Sequence, residues 1–492
     1  MSTHVSTTPL GDAWPPVRSP WPTRDAPLHG QEFARDPFSY YARLRGTFGP
    51  VAPVALEETG AFRGYLVLDH AHQLEILQNH GHVWTRDSRW YRDLAEGALP
   101  PDHPMIPQFA YRRSRLYAEG REHTRLSGPG NKALGELRLL RTRDLVEDLA
   151  DQLVTAFFRE TPPRERNDVD ILGQYALQLP LLVMMRLMGM DEGSALATGD
   201  AIHEMLSGGP GAEQAAAELD TRMRALVEEK ERAPGPDLVS WMHHHNRERR
   251  EQQEQREQQA PLDAHELAEE VWLQIVAGRG ASTTWICNTV LELLTDPELN
   301  SDVLAGRCPM DEAMNRVMWV NAPIQNLIGR WATQDTTLAG YPVNAGDMAI
   351  ICLGATGADP AMLSSASDVS RTNRSHLAWG AGSHGCPAHE LGTLIVRSGL
   401  EVLWNRLPGL RLAVPAEKLT WEMPYIARSP TSLPVSFPFP PTAPTNGQQW
   451  TAQPGFLSNP PRPISTEPKA RPSAPQGRLP RWRSLVAWWP KR

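Results

Sequence analysis

Apolar residues recur at helical spacing through long parts of this chain and at strand spacing only in short ones. Over 137–158 and again over 171–188 they fall three and four apart, which predicts two long amphipathic helices. Residues 37–46 (PFSYYARLRG) carry the same period more briefly. The stretch 264–294 is apolar nearly all round in its middle, so it predicts a helix running through the interior. Strand-like alternation is confined to 63–69 (RGYLVLD), 335–353 (DTTLAGYPVNAGDMAIICL) and 431–437 (TSLPVSF). The pattern is that of a mainly α chain with small β-sheets.

Other segments have no apolar period. Residues 1 to about 30 are rich in Pro, Thr and Ser and read as a flexible leader before one domain at 31–438. Residues 243–260 (HHHNRERREQQEQREQQA) are almost wholly polar and read as a solvated linker or helix extension. Adjacent histidines on one element are not expected to converge on a metal. The stretch 439–480 is rich in Pro, Ser, Thr and Gln and cannot bury enough apolar surface to fold alone, so it reads as a disordered tail. The final segment, 481–492 (RWRSLVAWWPKR), is basic and aromatic. It fits either a disordered end or an element resting peripherally on a membrane or a partner.

Composition narrows the class. These polar stretches dilute the core and explain a hydrophobic fraction of only 40%. A net charge of −8 gives no pull toward nucleic acid, and none is expected as a partner. No run of about 18 apolar residues is present, so no transmembrane segment is expected. The first residues lack the apolar core of a secretory signal, and the expected location is cytoplasmic. Four cysteines, Cys287, Cys308, Cys352 and Cys386, stand far apart, which argues against a disulfide framework or a structural zinc site.

Candidate chemistry concentrates in 376–391, HLAWGAGSHGCPAHEL. Cys386 lies between a turn rich in glycine (Gly380, Gly382, Gly385) and an apparent helix start. Turn amides and a helix N-terminus aimed at the sulfur would lower its pKa. A thiolate held in that way is a strong axial donor to haem iron. A buried cysteine in an ordinary turn has the same local pattern, and spacing alone leaves both readings open.

This segment resembles the cysteine loop of cytochromes P450, Phe-Gly-x-Gly-x-His-x-Cys-x-Gly. Trp379, Gly380, Gly382, His384 and Cys386 are in step with it; Trp379 replaces the Phe and Ala388 the last Gly. The likeness spans roughly 31–438 in the family's order. Residues 122–126 (EHTRL) are similar to its C helix and 277–288 (AGRGASTTWICN) to its central I helix. NLIGRWAT, LAGYPVNAGD and the GADP of 357–360 are similar to the strands and turn before the loop. The resemblance implies the cytochrome P450 fold as a single domain binding haem b (iron protoporphyrin IX), with Cys386 as the iron's axial ligand. It implies that Trp379 covers the sulfur and can donate its N–H, and that His123, Arg330 and His384 hold the haem propionates. Ser127 stands where the family usually has an Arg. Apart from the family, His123 reads as an ordinary surface or capping histidine.

Two departures bear on activity. The family's I helix carries an acid and a Thr that relay protons during oxygen activation, and the resemblance puts Gly280 and Ala281 there. The oxygen side is thus expected to lack both relay groups, and Ser282, about 100° farther round, is expected to point elsewhere. Arg279 stays protonated and could anchor an anion. The family's K-helix Glu-x-x-Arg becomes Arg316 and Trp319 here, and Glu312, one turn before Arg316, is its expected partner.

The resemblance implies a monooxygenase that inserts one oxygen atom from O2 into a small organic substrate, with electrons from a ferredoxin and ferredoxin reductase. By position in that fold, 84–94 would roof the pocket and Gly278 to Ala281 line its oxygen side. Arg112, Arg113 and Arg115 offer either a docking face for an acidic ferredoxin or a solvated basic face. A subgroup of the family that also has Trp at the K-helix Arg position is often encoded beside small signalling proteins, which implies a signalling-protein partner. The alternative is a degenerate P450-fold haem-binding sensor or partner scaffold without monooxygenase activity.

Overall fold

The apolar stretch at the chain's centre folds as one helix, Ala264–Thr295, and the rest is built round it. The computed structural model describes residues 19–438 except 101, 102, 104, 161–165, 207–210, 254–259, 364–371 and 423–425. The tail at 439–480, the segment 481–492 with its membrane and partner expectations, and residues 1–18 lie outside the described residues. Residues 19–30 do not behave as a leader, since Ala26–Pro27 pairs as an edge strand and Leu28 is fully buried. Among the described residues no helix is long and apolar enough to cross a membrane.

A capping box starts the central helix: the Asp263 carboxylate accepts from Glu266 N, and Glu266 accepts from Asp263 N. The helix is then covered on several sides by Gln178–Leu187, Ala212–Arg232, Met310–Val320 and His389–Arg406. Val271, Ile275, Ile286 and Val290 are among its core side chains, which is why its sequence shows no polar stripe. The predicted amphipathic helices appear as Pro37–Phe48 and Leu139–Glu160. The third opens with a wider turn, Leu172–Ala176, before continuing as Gln178–Leu187.

A six-stranded sheet packs beside this helical body, in the order Ala26–Pro27, Val51–Ala55, Arg63–Val67, Met348–Ile351, Leu327–Ala332, Trp84–Thr85. Tyr65 pairs with Ala349 in parallel register, and Arg330 pairs with Ala349 antiparallel. The last strand, Pro434–Pro438, pairs along its length with Arg166–Asp170, a strand the alternation pattern did not reveal.

The polar stretch at 243–260 is a helix extension, as one of its two expected readings had it, but it is not a solvated one. Most of it forms the end of a helix, Leu238–Gln253, that packs against Gly120–Gly135 and Ala212–Arg232. His243, His245, Asn246 and Arg249 are all buried there. His243 Nε2 bonds to Val227 O at 2.8 Å, Asn246 donates to Leu262 O at 2.9 Å, and Arg249 donates to Arg125 O at 2.7 Å. Polar side chains reaching backbone carbonyls make this contact, so hydrophobic periodicity is blind to it. Two of the adjacent histidines also converge after all, with His244, His245 and Glu248 ligand atoms within 4.8 Å of one another.

Met310–Val320 fixes the segment that leads into the cysteine loop. Trp319 Nε1 and Asn315 Nδ2 both donate to the Asn373 carbonyl, at 3.0 and 2.8 Å. His376 Nε2 donates to Asn315 Oδ1 at 3.1 Å. Arg316 does not pair with Glu312. It reaches Glu292 at 2.9 Å and Asp296 at 3.0 Å, at the end of the central helix, because neighbouring helices bring those carboxylates closer than its own preceding turn does.

Candidate active site

Between Leu377 and the His389–Arg406 helix the backbone turns tightly round one sulfur. Gly380 N donates to Leu377 O and Cys386 N to Trp379 O, each at 2.8 Å, and Gly385 N to Gly382 O at 3.1 Å. Gly380 and Gly382 take φ of 69° and 68°, which side chains disfavour. A Cβ at Gly382 would also fall 2.3 Å from the Leu77 carbonyl, so the loop is pressed against the His70–Gln78 helix.

The loop delivers Cys386 to a cavity of about 450 Å³. His123, Arg330, Trp379, His384, Gly280 and Ala281 line the same cavity, so the predicted site residues do come together. The thiol is exposed, and what it is exposed to is this cavity. Burial by the surrounding protein raises its pKa, against the opposing pull of the Ala388 N–H and Arg115. The expected lowering by turn and helix amides is therefore not met, because a single amide contributes and desolvation outweighs it. Trp379 packs edge-on against His389 at 4.4 Å and Trp285 at 5.4 Å. It makes no hydrogen bond to the Cys386 sulfur among the described contacts.

One end of the cavity gathers cations. The His123 and His384 rings lie 4.4 Å apart. Arg330, from Leu327–Ala332, is 4% exposed, and its Nη1 has no partner among the described residues. Burial lowers its pKa, neighbouring Arg86 adds to this, and Glu119 opposes it. Burial also takes His384 down to about 4, although Glu119, 3.2 Å from its Nε2, opposes the shift. His123 is lowered by burial as well. Both imidazoles are therefore neutral at pH 7, and the positive charge here comes from arginine.

Arg86 is the member of this group that sequence reasoning missed. Trp84 pairs with Ala332 and Thr85 with Trp331, so the next step in register sets Arg86 beside Arg330. Its backbone N donates to Glu119 Oε1 at 2.9 Å and its Nε to Leu116 O at 3.0 Å, which leaves its terminal nitrogens to the cavity it lines. Ser127, at the position of the family's missing Arg, lines the cavity without charge. Only strand pairing reveals Arg86, and a single sequence does not show it. The expected roof at 84–94 is otherwise not found: within it Arg86 alone lines the cavity, while Trp84 and Tyr91 are buried in the sheet and its core.

On the side facing Cys386, the central helix contributes Ala277, Gly280 and Ala281, while Gly278 faces Met184 instead. Contrary to expectation, Ser282 lines the cavity too, as does Thr284 one turn beyond Gly280. Thr284 Oγ1 donates to Gly280 O at 3.3 Å.

The basic run at 112–115 is not a free docking face. Arg112 forks onto Glu269 at 2.7 and 2.8 Å, and Arg113 reaches Glu266 at 2.8 Å. Arg115 stands 3.3 Å from Glu270. These guanidiniums neutralise buried carboxylates on the first turns of the central helix.

No protein-family model matches the chain. The mycinamicin IV hydroxylase/epoxidase of Micromonospora griseorubida is 30% identical over 351 residues, 69% of this chain and 83% of that protein. The cytochrome P450 monooxygenase PikC of Streptomyces venezuelae is 26% identical over 420 residues, 84% of this chain and 94% of that one. The solved structure of CYP154C4 from a Streptomyces strain superposes with a TM-score of 0.71 at 28% identity, covering 84% of this chain and 98% of that one.

Proposed function

The chain belongs to the cytochrome P450 family, and from that premise we propose a haem-thiolate monooxygenase acting on a small organic substrate, reduced by a ferredoxin and its reductase. The family's cofactor is haem b. The observation that carries the reading is one cavity with a cysteine thiol on its wall and, at its end, an unpartnered buried guanidinium, Arg330.

The residues present fit that group. Its two carboxylates need cationic or hydrogen-bonding partners when buried, and Arg330 and Arg86 supply charge while His123, His384 and Ser127 supply polar contacts. Cys386 would hold the iron. A thiol that coordinates a metal is deprotonated outright, which overrides the rise that burial imposes on the free thiol. When bound, the haem supplies electron transfer and oxygen activation.

The chain's own residues shape what happens beside it. Ala277, Gly280 and Ala281 are small side chains lining the cavity that the thiol also lines, and a Cβ at Gly280 would meet nothing within 4 Å. With no acid at 280 and no hydroxyl at 281, the proton path runs through the Thr284 hydroxyl, on the same helix face one turn on, with Ser282 beside it. Leu177, Leu273, Val276 and Ile426 give the substrate an apolar wall.

Gly280 and Ala281 also favour a second reading, a P450-fold haem sensor or scaffold that does not oxygenate. Turnover with a ferredoxin system separates the two. Product formed in step with reduced nicotinamide consumed supports the monooxygenase; hydrogen peroxide without product across a broad substrate panel supports the sensor.

A further inference from the structure

Of the described arginines that are at least nine-tenths buried, most have visible partners. Arg92 reaches Glu96, Arg249 the Arg125 carbonyl, and Arg428 the carbonyls of Ala34 and Arg35. Two make no side-chain hydrogen bond or ion pair among the described residues: Arg330, which faces the propionate end, and Arg279. Arg279 is 3% exposed, and neither its Nε nor its Nη2 meets an acceptor.

A guanidinium buried without a counter-charge is destabilising, so one with none among the described residues calls for an anionic partner. Burial lowers its pKa only to about 10, which leaves it charged at neutral pH. Among the described residues the cavity wall holds Arg86, Arg115, Arg279 and Arg330 but no Asp or Glu. Arg115 has Glu270 behind it, and Arg86 with Arg330 matches the two haem carboxylates. Glu119 acts on both Arg86 and Arg330, whereas Arg279 has no opposite charge acting on it among the described residues. Arg279 lies on the central helix next to Gly280, at which a Cβ would meet nothing within 4 Å, and Leu273 and Val276 line the same cavity.

We propose that the substrate is a carboxylic acid on an apolar skeleton and that Arg279 binds its carboxylate. The planar fork of a guanidinium matches the two oxygens of a carboxylate, and one unmatched cation suits a monoanion better than a dianion such as a phosphate monoester. This inference rests on the haem-thiolate reading above and specifies the substrate class of that same site.

The test is a spectral titration of the haem-loaded protein with decanoate and 4-phenylbutyrate, each against its methyl ester, in wild type, Arg279→Met and Arg279→Lys. We expect at least one acid to shift the Soret band with a Kd about tenfold or more below that of its ester, as a charged hydrogen bond implies. Arg279→Met removes that preference and Arg279→Lys retains part of it, with haem content and the reduced carbon monoxide spectrum unchanged in both. Arg279→Met also raises the melting temperature of the ligand-free protein, where a merely structural arginine would lower it. Equal affinity for acid and ester in wild type overturns the proposal, as does a preference that survives in Arg279→Met. Loss of haem in Arg279→Met also overturns it, by showing that the residue serves the cofactor. A wild-type protein that takes up no haem defeats the underlying reading instead, and the two failures are told apart before any acid is added.

Discussion

The indole N–H of Trp319 donates to the backbone carbonyl of Asn373 at 3.0 Å, and so ties the helix Met310–Val320 to the segment entering the cysteine loop. Asn315 shares the same acceptor, and His376 closes the set by donating to Asn315. Neutral hydrogen bonds thus make a connection at the helix where the family's Glu-x-x-Arg pair is replaced by Arg316 and Trp319. Replacing an ionic network by packed groups can be close to neutral for stability.

Trp319→Phe keeps most of the ring and loses the bond to Asn373, and is expected to cost about 1 kcal/mol of stability. Trp319→Ala also empties buried volume and is expected to cost about 3–5 kcal/mol. Urea titrations of the three proteins measure both.

Arg86 and Arg330 are expected to share haem retention. Each Arg→Ala substitution removes a charge-assisted hydrogen bond worth about 1.5–3 kcal/mol, so haem transfer to apomyoglobin accelerates by about tenfold or more. Ser127→Arg in the Arg86→Ala background is expected to restore part of the loss, because the new charge enters from the same cavity wall.

Thr284→Val tests the displaced proton path. It is expected to lower product formation by about 10²-fold, at the lower end of what a positioned proton donor contributes, with oxygen consumption diverted to hydrogen peroxide and the Soret band unmoved.

His376 makes the fold sensitive to acid. Burial takes it from its ordinary 6.5 down to about 4, with Arg374 and His389 pressing the same way. Its folded value lies below its unfolded one, so its contribution is fully present above pH 6.5 and is lost as pH falls toward 4. That loss runs at about 1.4 kcal/mol per pH unit. His376→Gln is expected to flatten the stability profile by that slope over this window, measured by denaturant unfolding at several pH values.

What the sequence revealed follows from the range of each interaction. The cysteine loop is local, since its glycines, its turn bonds and Cys386 fall within a few residues, and their spacing was legible. The central helix was legible because burial on all sides leaves no polar stripe. Arg86 was not, because its place beside Arg330 depends on pairing strands from distant parts of the chain. The partner of Arg316 was misread for a related reason: the i,i+4 rule sees Glu312 on its own helix but not Glu292 on the next. The burial of the polar helix after Met242 was missed because side chains such as Asn246 bury themselves against carbonyls, which leaves no hydrophobic signature.

The most direct test of the account is the absorption spectrum of the purified protein after reduction and exposure to carbon monoxide. A thiolate-type Soret band in the wild type that disappears in Cys386→Ala is the predicted result. A protein that refuses haem under every loading condition, or a thiolate-type band that survives Cys386→Ala, would contradict it.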